Sequence, residues 1–295
     1  MSRVVYFTAG TKGAGHLVRG IAIGRALERQ GFEGQFHLVS PIAPLLAMAA
    51  AAAEVDTIVC PIDVAQVIDK KRYSRSALTR QLTDLAPDLL IVDLFWAPVL
   101  HIVPTLGCEA WLLVRSCPLV WLHGNAAIQF NHRDYRRVIG IEPVDHQQVS
   151  EHIDPIVICN QDECYSRGEL AQRFSVDPDQ PITVVSHAGL AGEIESLGPV
   201  EETSGQRKGA VIVSDLHGTD SVFPLAPWLS AADAVYCSAG YNSYWEARWL
   251  GYADKTTFTP FRRQIDDPFW RLGECQSYSM RLNGADTLAA SIISG

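Results

Sequence analysis

The stretch that decides the fold reads Val235-Tyr236-Cys237-Ser238-Ala239-Gly240-Tyr241-Asn242-Ser243-Tyr244-Trp245-Glu246-Ala247. A short apolar strand leads into a turn of small residues, and the turn opens a helix that carries Glu246 one turn inside. Such a turn presents backbone N–H groups and the positive end of a helix dipole to an anion. The stretch therefore predicts a binding turn for a phosphate group, typically a diphosphate.

A second glycine-rich turn lies near the other end of the chain and reads Ala9-Gly10-Thr11-Lys12-Gly13-Ala14-Gly15-His16. A polar loop at residues 260–267 follows the first stretch and is dense in groups that could hold sugar hydroxyls. Two glycine-rich turns so far apart suggest two nucleotide-fold domains that face one cleft.

Strand-like and helix-like segments alternate along the chain, which is typical of a parallel sheet wrapped by helices. A polar stretch at residues 160–180 ends at Pro181 and separates two such series. We therefore predict an α/β fold with two doubly wound domains, at residues 1–165 and 166–295. The predicted strands are 4–7, 36–40, 57–61, 88–93, 110–115 and 156–159 in the first half, and 182–186, 210–215, 234–237 and 256–259 in the second. The predicted helices are 16–30, one after Pro44, 74–86 and 285–293.

The amino-acid composition of the chain limits the kinds of partner and compartment that we expect for it. The formal net charge is −9 over 295 residues, which argues against a nucleic-acid groove because phosphate neutralisation needs clustered Lys and Arg. The seven cysteines are scattered, so we expect reduced thiols in a cytoplasmic protein. The longest apolar run, at residues 42–53, contains Pro44 and is too short to cross a bilayer. Peripheral contact with a membrane and the oligomeric state stay open.

Standard cofactor motifs do not fit the first turn. Its glycines fall at positions 10, 13 and 15, so it spells neither G-x-G-x-x-G nor a Walker loop. The second predicted strand ends at Ser40-Pro41, without the acid that would hold the ribose of a dinucleotide. Binding of NAD is therefore disfavoured. The sequence has no zinc-type motif, and Asp177-Pro178-Asp179 is expected to be a turn, so we predict no bound metal.

Three segments carry a family resemblance. Residues 13–16 with Arg19 resemble the N-terminal turn and helix of GT-B glycosyltransferases, among them bacterial transferases of peptidoglycan precursors. Residues 229–247 resemble the donor-site segment of these enzymes, and residues 261–267 resemble the acidic and amide loop that follows it. The resemblance spans nearly the whole chain in order, and the donor segment is its specific part.

The resemblance implies two Rossmann-like domains and a metal-independent transfer of sugar from a nucleotide-sugar to an acceptor. The nucleotide-sugar, expected to be UDP-linked, would be a co-substrate, and no other cofactor is implied. His16 would lie at the reaction centre as a general base, and Glu246 would hold the ribose hydroxyls. The remaining donor-binding set is Gly13, Gly15, Gly189, Ser238, Ala239, Gly240, Asn242, Ser243, Gln264, Asp266 and Asp267, of which the last three would sit near the sugar hydroxyls.

Other interpretations stay open from the sequence. Ser243-x-x-Glu246 also spells a capping box, in which Glu246 only satisfies the start of a helix. Phe95, Trp96 and Trp121 follow predicted strand ends and could line an apolar acceptor site or pack in the core. The chain also departs from the family pattern at Asp267-Pro268, where an Asp-Gln pair is usual. A non-catalytic protein with a degraded site, which binds nucleotide-sugar or serves as a scaffold, and a sugar-nucleotide epimerase or hydrolase, therefore remain alternatives.

Overall fold

The computed structural model describes residues 1–10, 14–42, 55–125, 128–190, 192–197, 209–215 and 222–295. Two expectations fall outside these residues and are not described here: the helix after Pro44 and the binding glycine Gly13.

The first half of the chain forms one seven-stranded sheet in which every neighbouring pair is parallel. The strands lie in the order β3-β2-β1-β4-β5-β6-β7, so the winding direction reverses between β1 and β4. Open sheets of this kind bind ligands at the carboxyl ends of the strands beside such a reversal. The strands are β1 Arg3–Phe7, β2 Gln35–Ser40, β3 Asp56–Val59, β4 Leu89–Asp93, β5 Glu109–Val114, β6 Arg137–Gly140 and β7 Glu151–His152.

The second half forms a separate parallel sheet of four strands in the order β11-β10-β8-β9. Its winding reverses between β8 and β10, which places the turns after these two strands side by side. The strands are β8 Ile182–His187, β9 Ala210–Asp215, β10 Ala234–Ser238 and β11 Thr256–Thr259. The predicted α/β class with two parallel sheets is confirmed, and the division at residues 165 and 166 stays a prediction.

Helices connect the strands and join the two halves. Helix α1 packs against α9 from the far end of the chain, where Arg29 Nη2 lies 2.6 Å from Asp286 Oδ1. Among the described residues, no helix is long and apolar enough to cross a membrane. The α-helices are α1 Gly15–Arg29, α2 Val64–Val67, α3 Ala77–Leu85, α4 Leu119–His123, α5 Arg167–Phe174, α6 Ala226–Leu229, α7 Tyr241–Trp249, α8 Pro268–Glu274 and α9 Gly284–Ser294.

Strand β1 is buried on both faces, as expected for a central parallel strand. Val4 and Tyr6 pack into one apolar cluster and Val5 and Phe7 into another. The cluster of Val4 and Tyr6 continues without interruption into the residues of the second sheet. The two sheets therefore share one continuous core on this side.

The predicted strand at residues 156–159 is wrong, although the segment is fully buried. Its backbone bonds go to side chains instead of a neighbouring strand: the N–H of Ile156 donates to Tyr241 Oη at 2.8 Å, and that of Val157 to Asn283 Oδ1 at 3.2 Å. Strands β6 and β7 complete the first sheet and were missed from the sequence. An apolar run shows burial, but it does not show which groups satisfy the backbone.

Candidate functional site

A cavity of about 570 Å³ lies between the two halves of the chain. Its walls come from residues that follow β1, β4 and β5 on one side, and from the turns after β8 and β10 on the other. These are the carboxyl ends of the strands at both winding reversals, where α/β sheets place their ligands.

The glycine turns of the two halves touch across this cavity. The side-chain amide of Asn242 donates from Nδ2 to the backbone oxygen of Gly15 at 3.1 Å. The N–H of Ala14 donates to the backbone oxygen of Ala188, in the turn after β8, at 3.4 Å. Gly15, Gly189 and Asn242, three of the predicted binding residues, therefore lie around one cavity.

His16 lies at the start of α1, and the sheet brings Asp93 to it. Strands β1 and β4 are neighbours, with Phe7 opposite Val92, so the end of β4 lies beside the segment that leaves β1. His16 Nδ1 is 2.9 Å from Asp93 Oδ2, and Arg19 also binds that carboxylate, with Nη2 at 2.9 Å. Close packing holds the ring in place, because a Cβ atom at Gly10 would lie only 2.9 Å from His16 Cδ2.

Burial and charge set the protonation of this cluster. Burial, with a contribution from the positive charge of Arg19, lowers the pKa of His16 to about 4, although Asp93 acts in the opposite direction. Burial is the largest effect on Asp93 and opposes its ionisation, but the charge of Arg19 and the contacts with His16 and Tyr6 together outweigh it and hold the pKa of this carboxyl below its ordinary value. At neutral pH the His16 imidazole that faces the cavity is therefore neutral, and the Asp93 carboxylate behind it is ionised.

On the other side of the cavity, helix α7 begins at Tyr241 after Gly240, and no side chain from the described part of the chain caps its N-terminus. Ser238, Gly240, Asn242 and Ser243 line the cavity here. The backbone N–H groups at such a helix start are free to meet an anion. Ala239 is buried behind the turn, where its oxygen accepts from Arg271 Nη1 at 3.0 Å.

Glu246 lines the cavity one turn further along α7 and is almost completely buried. Burial raises the pKa of its carboxyl to about 8. The capping-box interpretation of this residue is wrong, because the helix begins at Tyr241 and Ser243 lies inside it. A buried acid that faces a cavity is instead a candidate ligand-binding group.

Comparison with known proteins was informative only at the level of structure. No model of a protein family matches the sequence, and no curated protein matches it. Among solved structures, the spinosyn forosaminyltransferase SpnP is 12% identical, with 99% of this chain and 93% of that chain covered and a TM-score of 0.56. VinC, a glycosyltransferase solved in complex with DTDP, is 13% identical over 99% of this chain and 90% of its own, with a TM-score of 0.55.

A third similar structure is UGT2 of Phytolacca americana, solved with UDP-2fluoro-glucose and pterostilbene. It is 15% identical, with 99% of this chain and 89% of that chain covered and a TM-score of 0.54. The chain has the GT-B glycosyltransferase fold. At these identities the likeness establishes the fold, and the roles of individual residues rest on the geometry of the site.

In this GT-B fold, the polar loop that follows β11 is only partly directed at the cavity. Gln264 and Asp266 line it, whereas Asp267 is exposed and caps helix α8 by accepting from the N–H of Trp270 at 3.0 Å. Asp266 is held by two guanidinium groups, with Arg115 Nη1 at 2.5 Å and Arg271 Nη2 at 2.7 Å. A sugar-binding role for Asp267 therefore has no support from its position.

The charges around Asp266 link the two halves of the GT-B fold. Burial opposes ionisation of Asp266, but Arg271 and Arg115 lower its pKa to about 2. Arg271 also binds Glu142, which follows β6, with Nε 2.8 Å from Oε2. Arg115 follows β5, so the carboxylate of Asp266 joins a side chain of the first half to one of the second.

A second charged cluster supports the rim of the cavity. Arg263 binds both carboxylate oxygens of Glu193, at 2.6 and 2.5 Å, and Glu193 Oε2 lies 3.1 Å from His187 Nε2. The turn after β8, which contains Gly189, is thereby fixed to the loop after β11. In a GT-B fold these two segments lie on the same side of the cleft.

The aromatic residues divide between the cavity and the core. Phe95 and Trp121 line the cavity, with their rings edge to face at 5.7 Å and Phe95 4.8 Å from the His16 ring. Trp96 packs in the core and donates from Nε1 to the backbone oxygen of Trp121 at 2.9 Å. The cavity wall beside His16 is therefore apolar and aromatic.

Sequence reasoning missed three residues of the site: Asp93, Arg115 and Arg271. Asp93 lies 77 positions from His16, and only the pairing of β1 with β4 brings the two together. A signal was present, because an ionisable residue stands at the end of each of two apolar strands: Asp93 is the last residue of β4, and Arg115 directly follows β5. Arg271 gives no comparable signal, because it lies inside a short helix and not at the end of a strand.

Proposed function

We propose that this chain is a glycosyltransferase that moves a sugar from a nucleoside-diphosphate sugar, expected to be UDP-linked, to a hydroxyl group of an acceptor. One observation carries the proposal. The start of α7, which no side chain of the described residues caps, and His16, with Asp93 behind it, face the same cavity from opposite halves of the chain, and Glu246 lines it too. A helix start that would hold an anion and a histidine that would take up a proton thus line one cavity.

On the donor side, the N–H groups at the start of α7 would hold the diphosphate, whose charge the helix dipole favours. Glu246 would accept hydrogen bonds from the ribose hydroxyls, because no group of the described residues donates to its buried carboxyl. Gln264 would contact the sugar. Asp266 would act mainly by positioning Arg115 and Arg271, because two guanidinium groups already occupy its carboxylate. These contacts would stabilise the departing diphosphate without a metal ion.

On the acceptor side, His16 would take the proton of the acceptor hydroxyl at Nε2, while Asp93 would stabilise the imidazolium that forms. The acceptor oxygen forms a bond to the anomeric carbon of the sugar as the bond from that carbon to the diphosphate breaks. Phe95 and Trp121 would pack against an apolar part of the acceptor. Two of the similar structures are described with a nucleoside diphosphate or its sugar bound, DTDP and UDP-2fluoro-glucose, and this supports the choice of donor class.

We also propose that the protein works in the cytoplasm. All seven cysteines are free thiols, and free thiols are typical of a reducing compartment.

The test begins with thermal unfolding in the presence of UDP, GDP, dTDP and their sugars. Ligand at a hundred times its Kd stabilises the folded state by about 2.7 kcal/mol, so a true donor raises the melting temperature measurably. The donor that binds is then incubated with apolar, aromatic alcohols, and the glycosylated product is measured.

Each outcome separates one function from the others. A glycosylated product supports the proposal. Release of free sugar at the same rate with and without acceptor would indicate a hydrolase, and isomerised donor an epimerase. The absence of stabilisation by every nucleotide would contradict the proposal and favour a scaffold protein.

A further inference from the structure

We propose that Arg19 holds the neutral His16 ring in the tautomer that carries its proton on Nε2. The enzyme with an empty cavity would then present a hydrogen-bond donor there, instead of a base. The inference rests on the proposed function, because Nε2 is the nitrogen to which the role of general base is assigned.

The first step is the crowding at Asp93 Oδ2. The hydroxyl of Tyr6, Nε of Arg19 at 3.1 Å and Nη2 of Arg19 at 2.9 Å all lie at this one oxygen. The single proton of the Tyr6 hydroxyl has a second acceptor, the backbone oxygen of His16 at 2.9 Å, but the two Arg19 groups alone match the about two acceptor positions of a carboxylate oxygen. Asp93 Oδ2 is therefore saturated without an N–H from His16, although His16 Nδ1 lies 2.9 Å away.

The second step is the contact between Arg19 and the ring. Arg19 Nη2 lies 2.7 Å from His16 Nδ1, closer than Nδ1 lies to Asp93. A guanidinium nitrogen only donates, so a proton on Nδ1 would place two N–H groups against each other at this distance. Nη2 carries two hydrogens, of which one serves the carboxylate and the other is left for the ring. Nδ1 is therefore the acceptor, and the ring proton is on Nε2.

The third step is where Nε2 points. His16 lines the cavity, and within the described part of the chain no protein group is hydrogen-bonded to Nε2. For the ring to act as a base at Nε2, its proton must first move to Nδ1. Arg19 must then give up its bond to Nδ1 and one of its bonds to Asp93 Oδ2, so that this oxygen can accept the new N–H. Arg19 thus restrains the base through His16 and acts as a positioning residue.

The experiment is nitrogen NMR of the whole chain labelled with ¹⁵N-histidine at neutral pH and without ligand. The His16 signals are assigned by their loss in His16→Gln. His146 is a reference in the same sample, because its Nδ1 accepts from the N–H of Gln148 at 3.2 Å and its proton must be on Nε2. We expect His16 to show the same pattern, with a one-bond N–H coupling at Nε2 alone. A proton on Nδ1 in the wild-type protein would overturn the inference.

Arg19→Met provides the second measurement. Without the guanidinium, His16 is expected to donate from Nδ1 to Asp93, so the N–H coupling moves from Nε2 to Nδ1. An unchanged pattern in a folded Arg19→Met protein contradicts a role for Arg19. If this variant does not fold, the wild-type spectrum decides alone. The spectrum needs neither donor nor turnover, so failure of the proposed glycosyl transfer and failure of this inference are seen in different experiments.

Discussion

Arg271 and Glu142 form an ion pair in which neither side chain is exposed to solvent. The guanidinium binds the carboxylate twice, through Nε at 2.8 Å and Nη2 at 3.2 Å, and Trp245 Nε1 donates to the same group at 2.9 Å. Arg271 lies in the second half of the chain and Glu142 in the first. The pair therefore joins the two halves behind the cavity.

Removal of one partner should destabilise the fold strongly. Arg271→Met leaves the charge of Glu142 buried and uncompensated, and such losses cost about 3–5 kcal/mol. We expect urea denaturation to show a decrease of this size in the free energy of unfolding. Arg80→Met is the matched control, because Arg80 is exposed, and its effect should stay within about 0.5 kcal/mol. Equal effects of the two substitutions would show that the buried pair contributes no more to the free energy of unfolding than an exposed arginine does.

Glu246 should make stability depend on pH. Burial raises its pKa from 4.5 to about 8, so between these values the folded chain keeps a proton that the unfolded chain has lost. The stabilisation is complete below pH 4.5 and is lost as the pH rises through 8. Between pH 5 and pH 9 the wild-type free energy of unfolding should fall by on the order of 4 kcal/mol more than that of Glu246→Gln. Parallel pH profiles of the two proteins would contradict this assignment.

Nucleotide binding provides an independent test of the same residue. Glu246→Ala removes the proposed partner of the ribose hydroxyls and should weaken binding of UDP by about 1–3 kcal/mol, the range for buried polar groups left without a hydrogen-bond partner. Calorimetry with UDP measures the change, and 2′-deoxy-UDP should bind the wild-type protein more weakly than UDP does. If a folded Glu246→Ala protein keeps full affinity, Glu246 does not contact the nucleotide.

Loss of the His16 ring should affect chemistry more than binding. His16→Ala is expected to lower turnover by about 10²–10⁴-fold, the usual range for a general base, while the affinity for nucleotide stays near that of the wild type. His132→Gln, an exposed histidine, is the control for nonspecific effects and should keep full turnover. Near-normal turnover in a folded His16→Ala protein would show that His16 is not the general base and only forms part of the helix start.

Gly10 should matter because of its distance from His16. A methyl group there would lie 2.9 Å from His16 Cδ2 and 3.3 Å from Phe95 Cε2, so Gly10→Ala must displace the ring. Because misplacement by about 1 Å can cost a hundredfold in rate, we expect turnover to fall by roughly 10- to 100-fold with little change in nucleotide affinity. Gly168→Ala meets no atom within 4 Å and is the control. Equal activity of the two variants would show that the ring tolerates the added methyl group.

The sequence predicted the fold class and the turns around the cavity because these depend on local patterns. Apolar runs, small-residue turns and the position of Glu246 inside α7 are all visible in a short window. The cluster around His16 was not predictable in the same way. It requires Tyr6, Arg19 and Asp93, which come from two strands and a helix, and their proximity follows from the strand order of the sheet.

The segment at residues 156–159 shows a second limit of prediction from the sequence. Its apolar residues predicted a strand, but Tyr241 and Asn283 provide its backbone partners from far along the chain. Asp267 shows the same problem for a binding residue, since its carboxylate satisfies a helix start and is not part of the cavity wall. The residues next to a segment in sequence do not show which of its polar groups will form a hydrogen bond with a residue far along the chain.

Tyr241 fixes helix α7 to the opposite half of the molecule. It is the first residue of α7, yet its hydroxyl accepts from the N–H of Ile156 and donates to the oxygen of Ile141, at 2.8 and 3.0 Å. Any hinge motion of the cleft that preserves these bonds must pivot at this point. A pivot displaces nearby atoms least, so the diphosphate turn would be rigid and already formed, while the distant rim at Arg263 and Gln264 travels furthest. The rim would then adapt to different sugars, and the turn at the pivot would determine the affinity for the nucleotide.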